Sequence, residues 1–105
     1  MAATVSLSEK QFLEQVRELA KALGYHTYHP WLSIRSERGW PDVAIWKPGR
    51  FILAELKSEK GKLTASQTRV IETLREAGVE VYVWRPSDFD EIVEVLRRPA
   101  AQVGA

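Results

Sequence analysis

Asp42, Glu55 and Lys57 punctuate two apolar runs, DVAIW and FILAELK, that otherwise belong in a protein core. Pro48-Gly49 between the runs is a turn signal, so they read as a hairpin with strands at about 42–47 and 50–57. With Pro48 and Gly49 at the tip, Lys47 faces Arg50. The pairing then steps through Trp46 with Phe51, Ile45 with Ile52, Ala44 with Leu53 and Val43 with Ala54, to Asp42 with Glu55. Cross-strand partners share a face, and so do residues two apart on one strand. Asp42 and Glu55 would therefore stand side by side, with Lys57 on the same face.

Opposed like charges on a sheet are destabilising unless something neutralises them. A divalent cation does so, and hard carboxylate oxygens suit Mg²⁺ or Mn²⁺. The competing reading is that the strand ends fray and both carboxylates are solvated. A register error of one residue would also separate them.

The elements around the hairpin must position these groups. Ser8-Glu9-Lys10-Gln11 is a capping box. It opens a helix with Phe12, Val16, Leu19, Ala20 and Leu23 on one stripe, stopped at Gly24. Residues 25–29 form a strand, and 30–41 a loop. Thr64-Ala65-Ser66-Gln67 is a second capping box, opening a helix with Val70, Ile71, Leu74 and Ala77 inward and ending at Gly78. Residues 79–84, VEVYVW, form a strand. Ser87 or Asp88 caps a last helix that runs to about Arg98, before Pro99. The order αβββαβα implies one mixed sheet with helices packed on it.

Both helix starts carry polar groups toward the hairpin. Glu9 falls about 60° from Phe12 at ~100° per residue, whereas Glu14 and Glu18 fall opposite the apolar stripe. Gln67 is in line with Val70, Ile71 and Leu74. Each also has a local explanation: Glu9 suits the positive end of a helix dipole, and Gln67 completes its capping box.

Composition sets outer bounds. The chain has 105 residues, 45% hydrophobic and 28% charged, as expected for one globular domain over 1–105 with frayed tails at 1–7 and 99–105. No apolar run reaches membrane-spanning length, and no secretory signal is evident. Cysteine is absent, which excludes a disulfide framework and thiolate chemistry and is compatible with a cytoplasmic location in a bacterial or phage-infected cell. The net charge of +1 hides an asymmetry. Residues 35–62 hold seven Lys or Arg against four acids, and residues 72–94 hold two Arg against seven acids. The first region could face a polyanion, and the second would repel one.

Gly39-Trp40-Pro41-Asp42 followed by Glu55-Leu56-Lys57 resembles the PD-(D/E)XK nuclease pattern. The continuation Gly61-Lys62-Leu63-Thr64, then Gln67, then a Gly-Val-x-Val strand, resembles the VRR-NUC branch of that superfamily. The likeness runs from about Ser8 to Leu96. It implies a restriction-endonuclease-like αβββαβ core with a central mixed sheet, followed here by a short C-terminal helix. It also implies a Mg²⁺- or Mn²⁺-dependent deoxyribonuclease, more an endonuclease than an exonuclease, with no organic cofactor and no membrane partner. By that resemblance Asp42 and Glu55 match the metal ligands, joined by the backbone carbonyl of Leu56. Lys57 matches the catalytic lysine and Gln67 the motif glutamine. Glu9 matches the acid of the first helix, acting directly or through water, with Glu14 and Glu18 as alternatives on that helix. Some relatives act on branched DNA or Holliday junctions as homodimers.

The residue types suit that chemistry. A cation on Asp42 and Glu55 would lower the pKa of bound water and polarise a phosphoryl oxygen. Lys57 could orient or deprotonate the water, stabilise developing negative charge, or simply pair with Glu55. Arg35, Arg38, Lys60 and Lys62 bracket the carboxylates as DNA-phosphate contacts would, or serve as solubilising charge. Trp31 and Trp40 could stack on bases, though packing is the commoner fate. His26 and His29 lack metal spacing and read as structural. Two other classes stay open: a catalytically silent nucleic-acid-binding module of the same fold, and an assembly domain whose acids cluster by chance.

Overall fold

A computed structural model describes residues 7–30 and 38–99 of the chain. The elements are α1 (Glu9–Ala22), β1 (His26–Tyr28), β2 (Val43–Lys47), β3 (Arg50–Leu56), α2 (Ala65–Glu76), β4 (Glu80–Trp84) and α3 (Phe89–Arg97). Residues 1–6 and 100–105 of the expected tails and most of the 30–41 loop lie outside the described residues. No helix among those described is long and apolar enough to cross a membrane.

The sheet order is β1-β2-β3-β4, antiparallel except for the parallel β3–β4 pair. The hairpin register is the one inferred from the sequence, from Lys47 opposite Arg50 to Val43 opposite Ala54. The two-residue tip leaves no slack, and a slip of one residue would turn every apolar side chain to the other face. The β3–α2–β4 crossover supplies the parallel strand.

Alternation splits the core in two. Val43, Ile45, Ile52, Ala54, Leu56 and Trp84 pack against Phe12, Val16 and Ala20 of α1 and Ile92, Val95 and Leu96 of α3. On the opposite face Leu53 and Val81 pack against Ile71 of α2. A fully buried aliphatic or aromatic side chain contributes about 1.5–3 kcal/mol, so the first cluster dominates stability. Both expected capping boxes form, Ser8 with Gln11 and Thr64 with Gln67.

Three details depart from the sequence reading. A single 3₁₀ turn, Pro86–Asp88, precedes α3; Asp88 stands at the N-cap of that helix, as one of the two expected residues, but makes no side-chain cap bond to it. Asp88 instead accepts the Arg85 backbone N–H at 2.8 Å. Phe51, placed in a buried strand by sequence, is 49% exposed, and its partner Trp46 is 36% exposed. Trp46 stacks on His26 with ring centroids 5.7 Å apart.

Candidate metal and nucleic-acid site

Asp42 immediately precedes β2, Glu55 is the penultimate residue of β3, and Lys57 directly follows that strand. The ladder ends at Val43–Ala54, so the two carboxylates sit at its open end. Asp42 Oδ2 accepts the Leu56 backbone N–H at 2.8 Å. Lys57 leaves β3 with its backbone N–H bonded to Trp84 O at 2.9 Å, so β4 aims the lysine. Lys57 Nζ stands 3.8 Å from Glu55 Oε2.

Glu55 is only 2% exposed, the one charged residue among the fully buried side chains described. Gln67 Nε2 donates to Glu55 Oε2 at 2.9 Å, while Gln67 Oε1 accepts the Thr64 N–H that closes the capping box. The two explanations for Gln67 therefore hold together: one side-chain amide caps the start of α2 and holds the acid. Glu55 Oε1 is buried with no hydrogen-bond partner. Burial pushes the Glu55 carboxyl up to about 8, and the adjacent Asp42 charge adds to the rise. Lys57 opposes it, and Glu9 contributes a smaller push upward.

Glu9 lies in the exposed first turn of α1, not within the buried stripe. A cleft of about 390 Å³ runs between α1 and the start of β2, lined by Glu9, Glu14, Arg17, His29, Asp42 and Leu56 among others. Glu14 thus borders the same cleft, but it is 3.7 Å from Arg17, which it pairs with. Among the described residues no three His, Cys, Asp or Glu side chains converge on one metal position. The acids brought together at the open end are Asp42 and Glu55, with Glu9 felt through its charge.

These residues fit a hard divalent cation. A buried carboxylate oxygen without a partner is costly, and a second carboxylate beside it raises the cost. A cation on Glu55 Oε1 would remove both penalties with the oxygen chemistry that Mg²⁺ and Mn²⁺ favour.

Gly39 sets the approach to Asp42. Its φ is +87°, and a Cβ there would lie 2.5 Å from Ser66 O and 2.9 Å from Gln67 N. Only glycine lets this loop run against the start of α2, which brings Asp42 and Gln67 to one place.

The expected DNA contacts are distributed unevenly. Arg35 and Trp31 lie outside the described residues. Arg38, Lys60 and Lys62 are exposed, and Trp40 is 45% exposed rather than packed. The loop bearing Lys60 and Lys62 is anchored by Arg85, whose Nη1 donates to Ser58 O and Gly61 O at 2.6 Å each. Glu59 also binds Ser87 through its backbone N–H and hydroxyl. The acidic 72–94 half is therefore not wholly remote from the basic segment, because its Arg85–Ser87 corner braces it. Sequence reasoning missed Arg85 and the cleft position of His29. Both act across the sheet, and no local pattern marks them.

Comparison with known proteins bears on the family and the fold. The VRR-NUC domain model matches residues 4–88. A solved structure described as a VRR-NUC domain superposes with a TM-score of 0.70 at 28% identity, covering 82% of this chain and 94% of that one. Hjc from Archaeoglobus fulgidus, described as a Holliday junction resolvase from an archaeal hyperthermophile, has a TM-score of 0.55 at 22% identity. That match covers 71% of this chain and 66% of Hjc, and it shows the shared fold. No curated protein matches the chain.

Proposed function

Because the chain belongs to the VRR-NUC domain family, within the PD-(D/E)XK nuclease fold, we propose that it hydrolyses DNA phosphodiester bonds with Mg²⁺ or Mn²⁺ held by Asp42 and Glu55. The observation that carries this reading is the buried, unpartnered Glu55 Oε1 beside Asp42 and Lys57. Asp42 would contribute the oxygen not bonded to Leu56, and Glu55 would contribute Oε1. The Leu56 carbonyl would complete the protein ligands, with Glu9 acting directly or through water. A cation held there would lower the pKa of bound water and withdraw charge from the phosphoryl group.

The remaining steps belong to the side chains. Gln67 holds Glu55 Oε2 and leaves the buried Oε1 without a hydrogen-bond partner. Lys57, tethered through its backbone to β4, orients the attacking water and offsets the negative charge that develops on the phosphate. Arg38, Lys60 and Lys62, with Arg35, neutralise flanking phosphates. Trp40 offers a ring for stacking on an unpaired base.

The reading extends to endonucleolytic cutting of branched DNA by a homodimer. Hjc, which shares the fold, is described as a Holliday junction resolvase. Symmetrical cutting of a junction by one small domain needs two copies, and the exposed Trp46–Phe51 pair is apolar surface of the kind that copies cover. The test is a panel of labelled junction, flap, duplex and single-stranded DNAs incubated with Mg²⁺, Mn²⁺ or EDTA, with light scattering for the oligomeric state. Metal-dependent cutting strongest on the branched substrates is expected. A panel left uncut with every metal rejects catalysis and leaves a binding module.

A further inference from the structure

Asp42 is held from two sides, and one of them is unusual. The β1–β2 register pairs Tyr28 with Ala44. Carried two residues further, it sets Pro30 opposite Asp42. Proline has no N–H, so the ladder has no donor to give the Asp42 carbonyl. A side chain fills the gap: His29 Nδ1 lies 2.7 Å from Asp42 O. A carbonyl oxygen can only accept, so Nδ1 carries the hydrogen and donates it. His29 is half-buried and lines the cleft that Glu9 and Asp42 also line. On the opposite flank the Leu56 N–H fixes Asp42 Oδ2.

We propose that His29 is a positioning residue for the metal-binding carboxylate: its Nδ1–H replaces the ladder bond that Pro30 removes and locks the Asp42 backbone in place. Leu56 then sets the carboxylate's rotation, and the second oxygen of Asp42, outside both bonds, would be the one to bind the cation. Without the imidazole donor the Asp42 carbonyl loses its partner at the open end of the ladder, where no further strand pairing restrains it. Partners that orient a ligand typically govern metal affinity by 10–100-fold. This inference rests on the assignment of Asp42 as a metal ligand.

Three variants separate the donor from the ring. His29→Asn places an amide N–H where the imidazole Nδ1 stands. His29→Phe keeps a ring and loses the donor. His29→Phe combined with Pro30→Ala restores a backbone N–H opposite Asp42. Mn²⁺ affinity is measured by calorimetry without DNA, beside the melting temperature of the metal-free protein and the Mn²⁺ concentration giving half-maximal cleavage. His29→Phe should weaken Mn²⁺ binding by roughly tenfold and raise the half-maximal concentration by the same factor. His29→Asn and the Pro30→Ala double variant should recover most of the affinity. Equal Mn²⁺ affinity in His29→Phe and the parental protein overturns the proposal, as does a His29→Asn loss as large as that of His29→Phe. Should His29→Phe fail to fold, a tenfold loss in a folded His29→Asn overturns it, and retained affinity supports it. A parental protein that binds no Mn²⁺ overturns the proposed function itself, and this inference with it.

Discussion

The two ends of β3 carry the same kinds of side chain to opposite effect. At its start, Arg50 pairs with Glu80 through two bonds, Nη2 to Oε2 at 2.6 Å and Nε to Oε1 at 3.2 Å. Arg50 Nη1 also donates to the Tyr25 hydroxyl and to the Val95 and Arg98 carbonyls. The Tyr82 hydroxyl donates to Glu80. Both Glu80 oxygens have partners, and the network ties the end of α3 to the sheet. Burial works against the Glu80 charge, yet the Arg50 hydrogen bonds hold its carboxyl below the usual range. At the other end Glu55 has one nearby cation, one amide donor, a second carboxylate beside it and an oxygen with no partner. A satisfied cluster stabilises the fold; an unsatisfied one spends stability on a ligand.

The sharpest break of this comparison is at the unsatisfied end. Asp42→Asn or Glu55→Gln should reduce metal-dependent cleavage by about a thousandfold or more. The metal-free protein should melt at the same temperature or higher, because carboxylate repulsion is relieved. Gel assays and thermal melting check both halves, and either variant cutting at the parental rate would remove the metal assignment.

Lys57→Ala should lower turnover by about a hundredfold while Mn²⁺ binding persists, since it removes no ligand. Single-turnover cleavage at saturating metal measures this. A parental rate would reduce Lys57 to an ion-pair partner of Glu55.

The satisfied end should behave inversely. Arg50→Leu leaves Glu80 with an uncompensated charge and should cost about 3 kcal/mol in urea unfolding. The cleavage rate per folded molecule should stay near parental, and a hundredfold loss would show that the two ends are not separable.

The ends should also differ in the sign of their pH dependence. Glu55 titrates higher folded than unfolded, so its contribution is fully present below the ordinary carboxylate pKa and is lost as pH rises through about 8. Glu80 titrates lower folded than unfolded, so its contribution is present above the ordinary value and is lost as pH falls through its depressed one. Unfolding in EDTA across this range should show stability declining toward pH 8, with Glu55→Gln flattening that decline and Mn²⁺ reducing it. A decline unchanged in Glu55→Gln would place the titrating group elsewhere.

The smallest effect concerns the loop beside the unsatisfied end. On duplex DNA, removing one phosphate-neutralising side chain should reduce the slope of log affinity against log salt by about 0.9. Lys60→Ala with Lys62→Ala, measured in Ca²⁺ to limit cutting, should bind more weakly at low salt with a shallower slope. Parental affinity and slope, with weakening instead from charge changes at Arg97 and Arg98, would move the DNA path to the C-terminal helix.

What the sequence by itself determined is what short-range rules govern. The Pro48-Gly49 turn and period-2 alternation specify the β2–β3 register, which carries Asp42 and Glu55 to the same end. Ser8 and Thr64 with their glutamines specify two helix starts. The family motif was legible for the same reason, since its residues sit on one hairpin and the capped helix after it.

Only the tertiary structure decided which of these groups would be satisfied. Gln67 reaches Glu55 because the crossover lays α2 on that face, and His29 serves Asp42 because Pro30 interrupts the ladder at that point. Arg50 meets Glu80, and Arg85 meets Ser58, through the parallel β3–β4 pair and the turn beyond it. Phe51 and Trp46 stay exposed although their strands alternate like core strands. Alternation determines the face on which a side chain emerges. Whether a helix covers that face, or a distant donor reaches that oxygen, depends on how separate segments pack.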